Sequence, residues 1–286
     1  MNITEKFANL HLHSSRSDGG YRPKHLCCLA KSLGYGGIAL TDHENIAGQD
    51  ELLACAKVNG LEAITGLEVD GKMDDGVIFH IVGLDFDHHH PSIVALTDMM
   101  THDRNVHTKW QFEYAIERGL FPKDVTWDDI VRANPGQTWY CNDQVYKALD
   151  ALGIIPLSRR HETYKDAFKS PVALTVRRRT PPMKEVITAI REAGGIPVLA
   201  HPYNHSFKYI RELVDMGLKG IEISHPEITE NGVKLAVHAA IEYNLYCSGG
   251  TDHFGPMSGC GGDLAVPAFH GATLDEFNAI KERRLG

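Results

Sequence analysis

Long apolar runs are missing from this chain of 286 residues, and none approaches the ~20 residues that a membrane-spanning helix needs. The opening Met1-Asn2-Ile3-Thr4-Glu5-Lys6 has no signal-peptide apolar core. Cysteine is sparse. The six residues form no CxxC pair and no regular framework, which excludes a disulfide scaffold and reads as reduced thiols in a cytoplasmic protein. Cations are also short. With 29 Lys and Arg against 37 Asp and Glu, the net charge of −8 argues against an extended nucleic-acid surface. It leaves room for a small phosphorylated substrate held by a few local cations. Repeats and low-complexity tracts are absent as well. Apolar content of 43% and charged content of 23% describe an ordinary globular protein, long enough for one large α/β domain or one domain with an insert.

Histidine, by contrast, is abundant, and its placement carries the information. In Asn9-Leu10-His11-Leu12-His13, apolar and imidazole side chains alternate. Successive side chains of an extended strand point to opposite faces, so both imidazoles face one way while the leucines pack behind them. Two neutral imidazoles side by side suit a divalent metal. Asp18, in the turn Ser17-Asp18-Gly19-Gly20, can swing back to the same point.

From residue 9 to 88 strands alternate with helices, the pattern of a parallel sheet or barrel. Helices are expected at Pro23–Leu33 and Gln49–Val58, with strands at Gly37–Thr41, Ala63–Val69 and Val77–Phe86. The rhythm stops at Asp87-His88-His89-His90-Pro91, whose three His are most simply a solvated turn. Ser92–Arg118 reads as a long helix stopped by Gly119, followed by helices at Trp127–Ala133 and Asp143–Leu152. After Pro182 the β/α rhythm returns. We therefore expect residues 1–88 and 183–286 to form a metal-binding barrel and residues 89–182 a mostly helical insertion that covers the active site.

Metal-competent residues sit at the end of nearly every strand: His11 and His13, Asp42 and His43, Glu68, His80, His201, His225, then Asp252 and His253. In a β/α barrel, catalytic groups come from the C-terminal ends of several strands. Mixed imidazole and carboxylate without thiolate suits zinc, manganese or iron. The candidates outnumber what one ion takes, and a carboxylate such as Glu68 can bridge two ions. Two ions about 3.5–4 Å apart can clamp a phosphoryl group and bind the hydroxide that attacks it.

The motifs His11-Leu12-His13 with Ser17-Asp18-Gly19, Ala39-Leu40-Thr41-Asp42-His43, Gly66-Leu67-Glu68, His80-Ile81-Val82-Gly83-Leu84, Leu199-Ala200-His201-Pro202 and Gly250-Thr251-Asp252 stand in family order. Together they resemble the polymerase and histidinol phosphatase (PHP) family, in particular its small phosphoesterases with a helical insertion after the fourth strand. The resemblance implies a distorted (β/α)7 barrel, an α/β fold, with a trinuclear site of two or three divalent ions. It would place one ion on His11, His13, Glu68 and Asp252, and a second on Glu68, His80 and His201. A third would lie on Asp18, His43 and the family's final His, with Asp42 orienting a ligand from behind. Where the family has Asp-x-His, this chain has Asp252-His253-Phe254, and His253 is expected to substitute.

On the substrate side, Arg104 lies where the resembling enzymes place a phosphate-binding Arg. Arg178, in Arg177-Arg178-Arg179, is the second candidate cation, and His205 a third contact. His225 is expected as general acid to the leaving oxygen. Around Asn142-Asp143-Gln144 the chain lacks the cation that nucleotide-acting relatives carry, while Trp127, Trp139 and Tyr140 can either stack on a base or form a core. The expected activity is hydrolysis of a phosphomonoester of a small molecule, a nucleotide such as a 5′-monophosphate or 3′,5′-bisphosphate, by a metal-bridging hydroxide. The alternatives are an exonuclease acting at the 5′ end of oligonucleotides, a histidinol-phosphate-type phosphatase, an amidohydrolase and a non-catalytic metal-binding regulatory module.

Overall fold

The computed structural model describes residues 7–174, 178–252 and 271–283. Two compact units emerge, one running to Thr97 and resuming at Thr180, the other spanning Asp98–Arg179. In chain order the elements begin with β1 (Phe7–Asn9), α1 (Pro23–Ser32), β2 (Gly37–Leu40), α2 (Gln49–Asn59), β3 (Glu62–Lys72) and β4 (Ile78–Leu84). Helix α3 (Pro91–Glu117) carries the chain into the second unit, followed by α4 (Trp127–Ala133), α5 (Asn142–Ala151) and α6 (His161–Phe168). The first unit resumes with α7 (Met183–Glu192), β5 (Ile196–Leu199), α8 (Ile210–Met216), β6 (Gly220–Ser224), α9 (Glu230–Tyr243), β7 (Tyr246–Gly249), β8 (Ala272–Thr273) and α10 (Leu274–Glu282).

In the first unit the strands form one sheet in the order β7-β6-β5-β4-β3-β2-β1-β8. The amide of Leu10 reaches the carbonyl of Gly249 at 3.1 Å, so the chain past β1 meets the end of β7 and the sheet nearly closes on itself. The α/β barrel is therefore present, its sheet holding eight strands among the described residues where the resemblance implies seven. Amphipathic helices cover it: α7 buries Met183, Val186, Ile187 and Ile190, the spacing of one helical face. Among the described residues no helix is long and apolar enough to cross a membrane.

Strand β4 breaks the parallel pattern. It pairs antiparallel with both β3 and β5. The connection from β3 is a tight turn, closed by Met73 and Val77 and by Gly76 at φ 89°, far too short for a crossover helix. The reversal brings the beginning of β4, rather than its end, to the end of the barrel where Glu68 lies, and His80 pairs in register with Asp70.

The second unit has its own core. Phe112, Phe121, Tyr140, Tyr146 and Phe168 pack together, with Trp127 partly buried against them. A reciprocal Thr126–Asp129 capping box starts α4. Trp139 and Tyr140 are buried, which makes them core residues and removes them as a platform for a base.

Candidate metal centre

The strand with alternating Leu and His is shorter than expected, since β1 ends at Asn9. The backbone nevertheless stays extended and tied down. Thr41 N–H donates to Leu12 O, Asp252 N–H to His11 O, and Thr41 Oγ1 bonds both Leu12 N–H and Leu12 O. Leu10 and Leu12 pack into apolar clusters, while His11 and His13 are fully buried among polar groups. Gly250 permits this closeness, because a Cβ there would lie 2.4 Å from His11 Cβ.

Glu68 is the hub. Its Oε2 lies 3.3 Å from His11 Nε2, 3.3 Å from His13 Nε2 and 3.1 Å from His43 Nδ1. Its Oε1 lies 2.8 Å from His80 Nδ1 and 3.0 Å from His201 Nε2. Asp252 Oδ1 closes the first group, 3.0 Å from His13 Nε2 and 3.6 Å from His11 Nε2. Asp18 faces His13 Nδ1 and His43 Nε2, each at 3.7 Å. The ligand atoms form overlapping clusters within the range of one ion each: His11-His13-Asp252, His11-Glu68-His201 and His13-Asp18-His43.

Electrostatics follow from this packing. Burial alone would lower the His13 pKa, but Asp252 and Glu68 outweigh it and raise it to about 10. Burial likewise opposes, and Glu222, Glu68 and Asp252 reverse, a lowering at His11, which ends well above the usual imidazole range. Glu68 and Asp252 are pushed up by burial and pulled down harder by the imidazoles, ending well below the usual carboxylate range. The donors fit a group of divalent ions. His11 Nε2, His201 Nδ1, His225 Nε2 and Asp252 Oδ1 are buried atoms that make no hydrogen bond. Such atoms are costly unless a cation or proton fills the space between them.

Two of these ligands sit on left-handed backbone: His201 at φ 27° and Asp252 at φ 50°. Each lies just past a strand, two residues after β5 and three after β7, with its side chain in the cluster. Positive φ at a residue bearing a Cβ costs about 1 kcal/mol.

The remaining candidates fall in varied places. Asp42 accepts from Ser14 N–H, Ser14 Oγ–H and Ser17 Oγ–H at 2.6–2.7 Å, and so fixes the turn that presents Asp18. His225, the expected general acid, lies against Asp252. Its side chain is fully buried, its Nδ1 accepts from Glu227 N–H at 3.1 Å, and its Nε2 lies 3.5 Å from Asp252 Oδ2. His205 is exposed and stacked parallel to Tyr203, with ring centroids 5.8 Å apart. Arg104 and Arg178 belong to the second unit. Arg104 lies over the Trp139 ring at 4.6 Å, and burial brings the Arg178 guanidinium down to about 10. Near Asn142-Asp143-Gln144, Arg160 pairs with Asp143 at 3.0 Å. His253 lies outside the described residues.

Sequence reasoning missed Glu222. It is fully buried on β6, bonded to His11 Nδ1 at 2.8 Å and to His201 N–H at 2.5 Å. The available signal was an acid in the apolar strand Gly220-Ile221-Glu222-Ile223-Ser224.

With the geometry in place, comparison with known proteins identifies the family. The PHP domain pattern matches residues 9–157 of the 286. The chain belongs to the PHP family. A 5′-3′ exoribonuclease of Haemophilus influenzae is 31% identical over 262 residues, covering 88% of this chain and 91% of its own length. A 3′,5′-nucleoside bisphosphate phosphatase of Chromobacterium violaceum is 26% identical over 264 residues, covering 88% of each chain. A solved structure from Bifidobacterium adolescentis, described as a candidate metal-dependent phosphoesterase, superposes on this PHP protein with TM-score 0.81 at 26% identity over 96% of both chains.

Proposed function

We propose that this PHP protein is a metal-dependent phosphoesterase that hydrolyses a phosphomonoester of a small, nucleotide-like substrate. The observation that carries the reading is Glu68, a buried carboxylate with imidazoles on both oxygens: His11, His13 and His43 at one, His80 and His201 at the other. One ion would be held by His11, His13, Glu68 and Asp252, and a second by Glu68, His80 and His201. A third would be held by Asp18 and His43, with His253 as the further ligand the motif suggests. Divalent ions at such a site neutralise phosphoryl charge and acidify the attacking water.

The chain's own residues supply the rest. Asp42 holds the Asp18 turn, and His225, beside Asp252, is the proposed general acid to the leaving oxygen. His205, exposed beside Tyr203, is the proposed phosphate contact within the barrel unit, and the sequence offers Arg104 and Arg178 as further cations. Tyr203 adds a surface for the organic part of the substrate. It is 46% exposed, its ring centroid lies 6.0 Å from that of His201, and its hydroxyl is held by Glu227. If a base or sugar rests on this ring, Tyr203→Ala raises KM for a nucleotide about tenfold with kcat changed less than about twofold, and leaves glycerol phosphate turnover untouched. Equal losses on both substrates would remove Tyr203 from the substrate surface.

The likeness to the Haemophilus exoribonuclease favours a second reading, cleavage of phosphodiesters from the 5′ end of short RNA. Free thiols at Cys27, Cys28, Cys55, Cys141 and Cys247 support work in a reducing cytoplasm. The test is metal analysis of purified protein combined with product analysis on a panel. The panel holds p-nitrophenyl phosphate, 5′- and 3′-mononucleotides, a 3′,5′-bisphosphate, histidinol phosphate, a cyclic phosphodiester and a short 5′-phosphorylated RNA. Two or three ions with phosphate release from one monoester class supports the proposal. Mononucleotide products from RNA alone replace it with the exonuclease. Bound metal without turnover of any member, after manganese or zinc addition, leaves the regulatory module.

A further inference from the structure

Strand β6 lies between β5 and β7, the two strands that lead into His201 and Asp252, yet none of its own residues is among the metal ligands proposed above. It carries Glu222 instead, paired in register with Ser248. A carboxylate can only accept hydrogen bonds, and Glu222 has two donors in front of it. One is the His201 amide at Oε2, 2.5 Å away, and a backbone N–H can only donate. The other is His11 Nδ1 at Oε1, 2.8 Å away, which must therefore carry its proton on that nitrogen. The proton assignment fixes the rest of the ring. His11 Nε2, the atom that faces Glu68 Oε2 at 3.3 Å and Asp252 Oδ1 at 3.6 Å, is the nitrogen left to give up its proton and offer its lone pair to an ion.

We infer that Glu222 is a positioning residue that sets the metal-competent tautomer of His11 and at the same time anchors the backbone of His201, tying ligands of two separate ions to one buried carboxylate. The inference rests on the metal-centre reading above. A metal-ligating imidazole is ordinarily oriented by a partner on its other nitrogen. What is particular here is that the same partner holds His201, whose φ of 27° is not a conformation the backbone keeps unaided. Occupancy of the two sites is then coupled through Glu222.

Glu222→Gln tests this with almost no change in volume. A glutamine can place its oxygen on only one donor. The His201 amide cannot invert, so the oxygen goes there and the NH2 group turns to His11 Nδ1. His11 must then accept at Nδ1 and carry its proton on Nε2, the wrong nitrogen for an ion. The expected result in 15N-labelled protein is loss of the slowly exchanging His11 Nδ1–H signal, in zinc-free and zinc-loaded protein alike. Zinc held against a graded chelator should weaken about 10–100-fold for at least one equivalent. Ser248→Ala, at the paired buried position, should change neither readout and so controls for packing. Should Glu222→Gln not fold, Glu222→Asp keeps the charge but cannot span both donors, and it too should lose zinc. Unchanged zinc affinity with an unchanged His11 signal in either folded variant overturns the inference. Wild-type protein that holds no zinc but shows the Nδ1–H signal, lost in the variant, keeps the positioning role and overturns the metal reading instead.

Discussion

Glu68→Gln abolishes turnover, by about a thousandfold or more, and strips at least one ion per chain. The size follows from how many groups depend on one side chain. Glu68 is buried and meets three imidazoles through Oε2 and two through Oε1. Glutamine fills the same space, but its NH2 end presents hydrogens where an ion needs a lone pair, and the negative charge shared by two ion sites is gone. A thousandfold loss is about 4 kcal/mol of transition-state stabilisation, within the range for removing one preorganised electrostatic group. Two measurements check it: ions per chain by elemental analysis, and kcat on whichever substrate the panel selects. A variant with full metal content and more than about a tenth of wild-type kcat would exclude Glu68 as the shared ligand.

The second large effect is on stability. In the metal-free chain the His13 pKa is raised to about 10 and those of His11 and His80 lie well above the ordinary imidazole value of about 6.5. A raised imidazole stabilises the fold fully below about pH 6.5, and that contribution drains away as pH climbs toward 10. Glu68 and Asp252, with lowered pKa values, act in the opposite sense: their contribution is present above about pH 4.5 and is lost as pH falls. Metal-free protein should therefore melt highest near pH 5–7, with Tm declining from pH 7 to 10. Ions compete with those same protons, so binding releases them and the stabilisation by metal grows with pH. Each proton displaced adds about 1.4 kcal/mol of metal-induced stability per pH unit, or a few degrees of Tm in a chain of this size. Melting curves with and without zinc at pH 6, 7.5 and 9 decide the matter. A metal-induced shift as large at pH 6 as at pH 9 would mean that these imidazoles are not the ligands.

Much of the centre was legible because its chemistry and its backbone share a period. Alternation of Leu and His around His11 and His13 exposes ligands on one face while hiding apolar groups on the other. The end of β5 is marked by the same change from apolar to imidazole, at Ala200-His201. Helix stops were equally plain where Gly60, Gly119 and Gly217 adopt positive φ. What escaped were features set by pairing partners distant in sequence. Nothing in Ile78–Leu84 states that it runs against its neighbours, although the Asp74-Asp75-Gly76 turn before it leaves no length for a crossover. The two-residue strand β8 is too short to carry a periodic signal. The residues just before α8, Asn204–Tyr209, form a tight 3₁₀ turn. Glu222 read as an ordinary strand residue, because burial against His11 is a property of the closed sheet and not of β6.

The left-handed backbone at His201 and Asp252 sets folding and chemistry at odds in one spot. Glycine or asparagine would sit more comfortably at both positions, so a mutational library screened only for thermal stability should drift toward them, and every step in that direction would remove or weaken a proposed ion ligand. A descendant of this chain released from catalysis would be expected to shed these two side chains early while keeping His11 and His13, whose extended backbone makes no such demand. The order in which ligands vanish would then record whether a degenerate relative was selected for its fold alone.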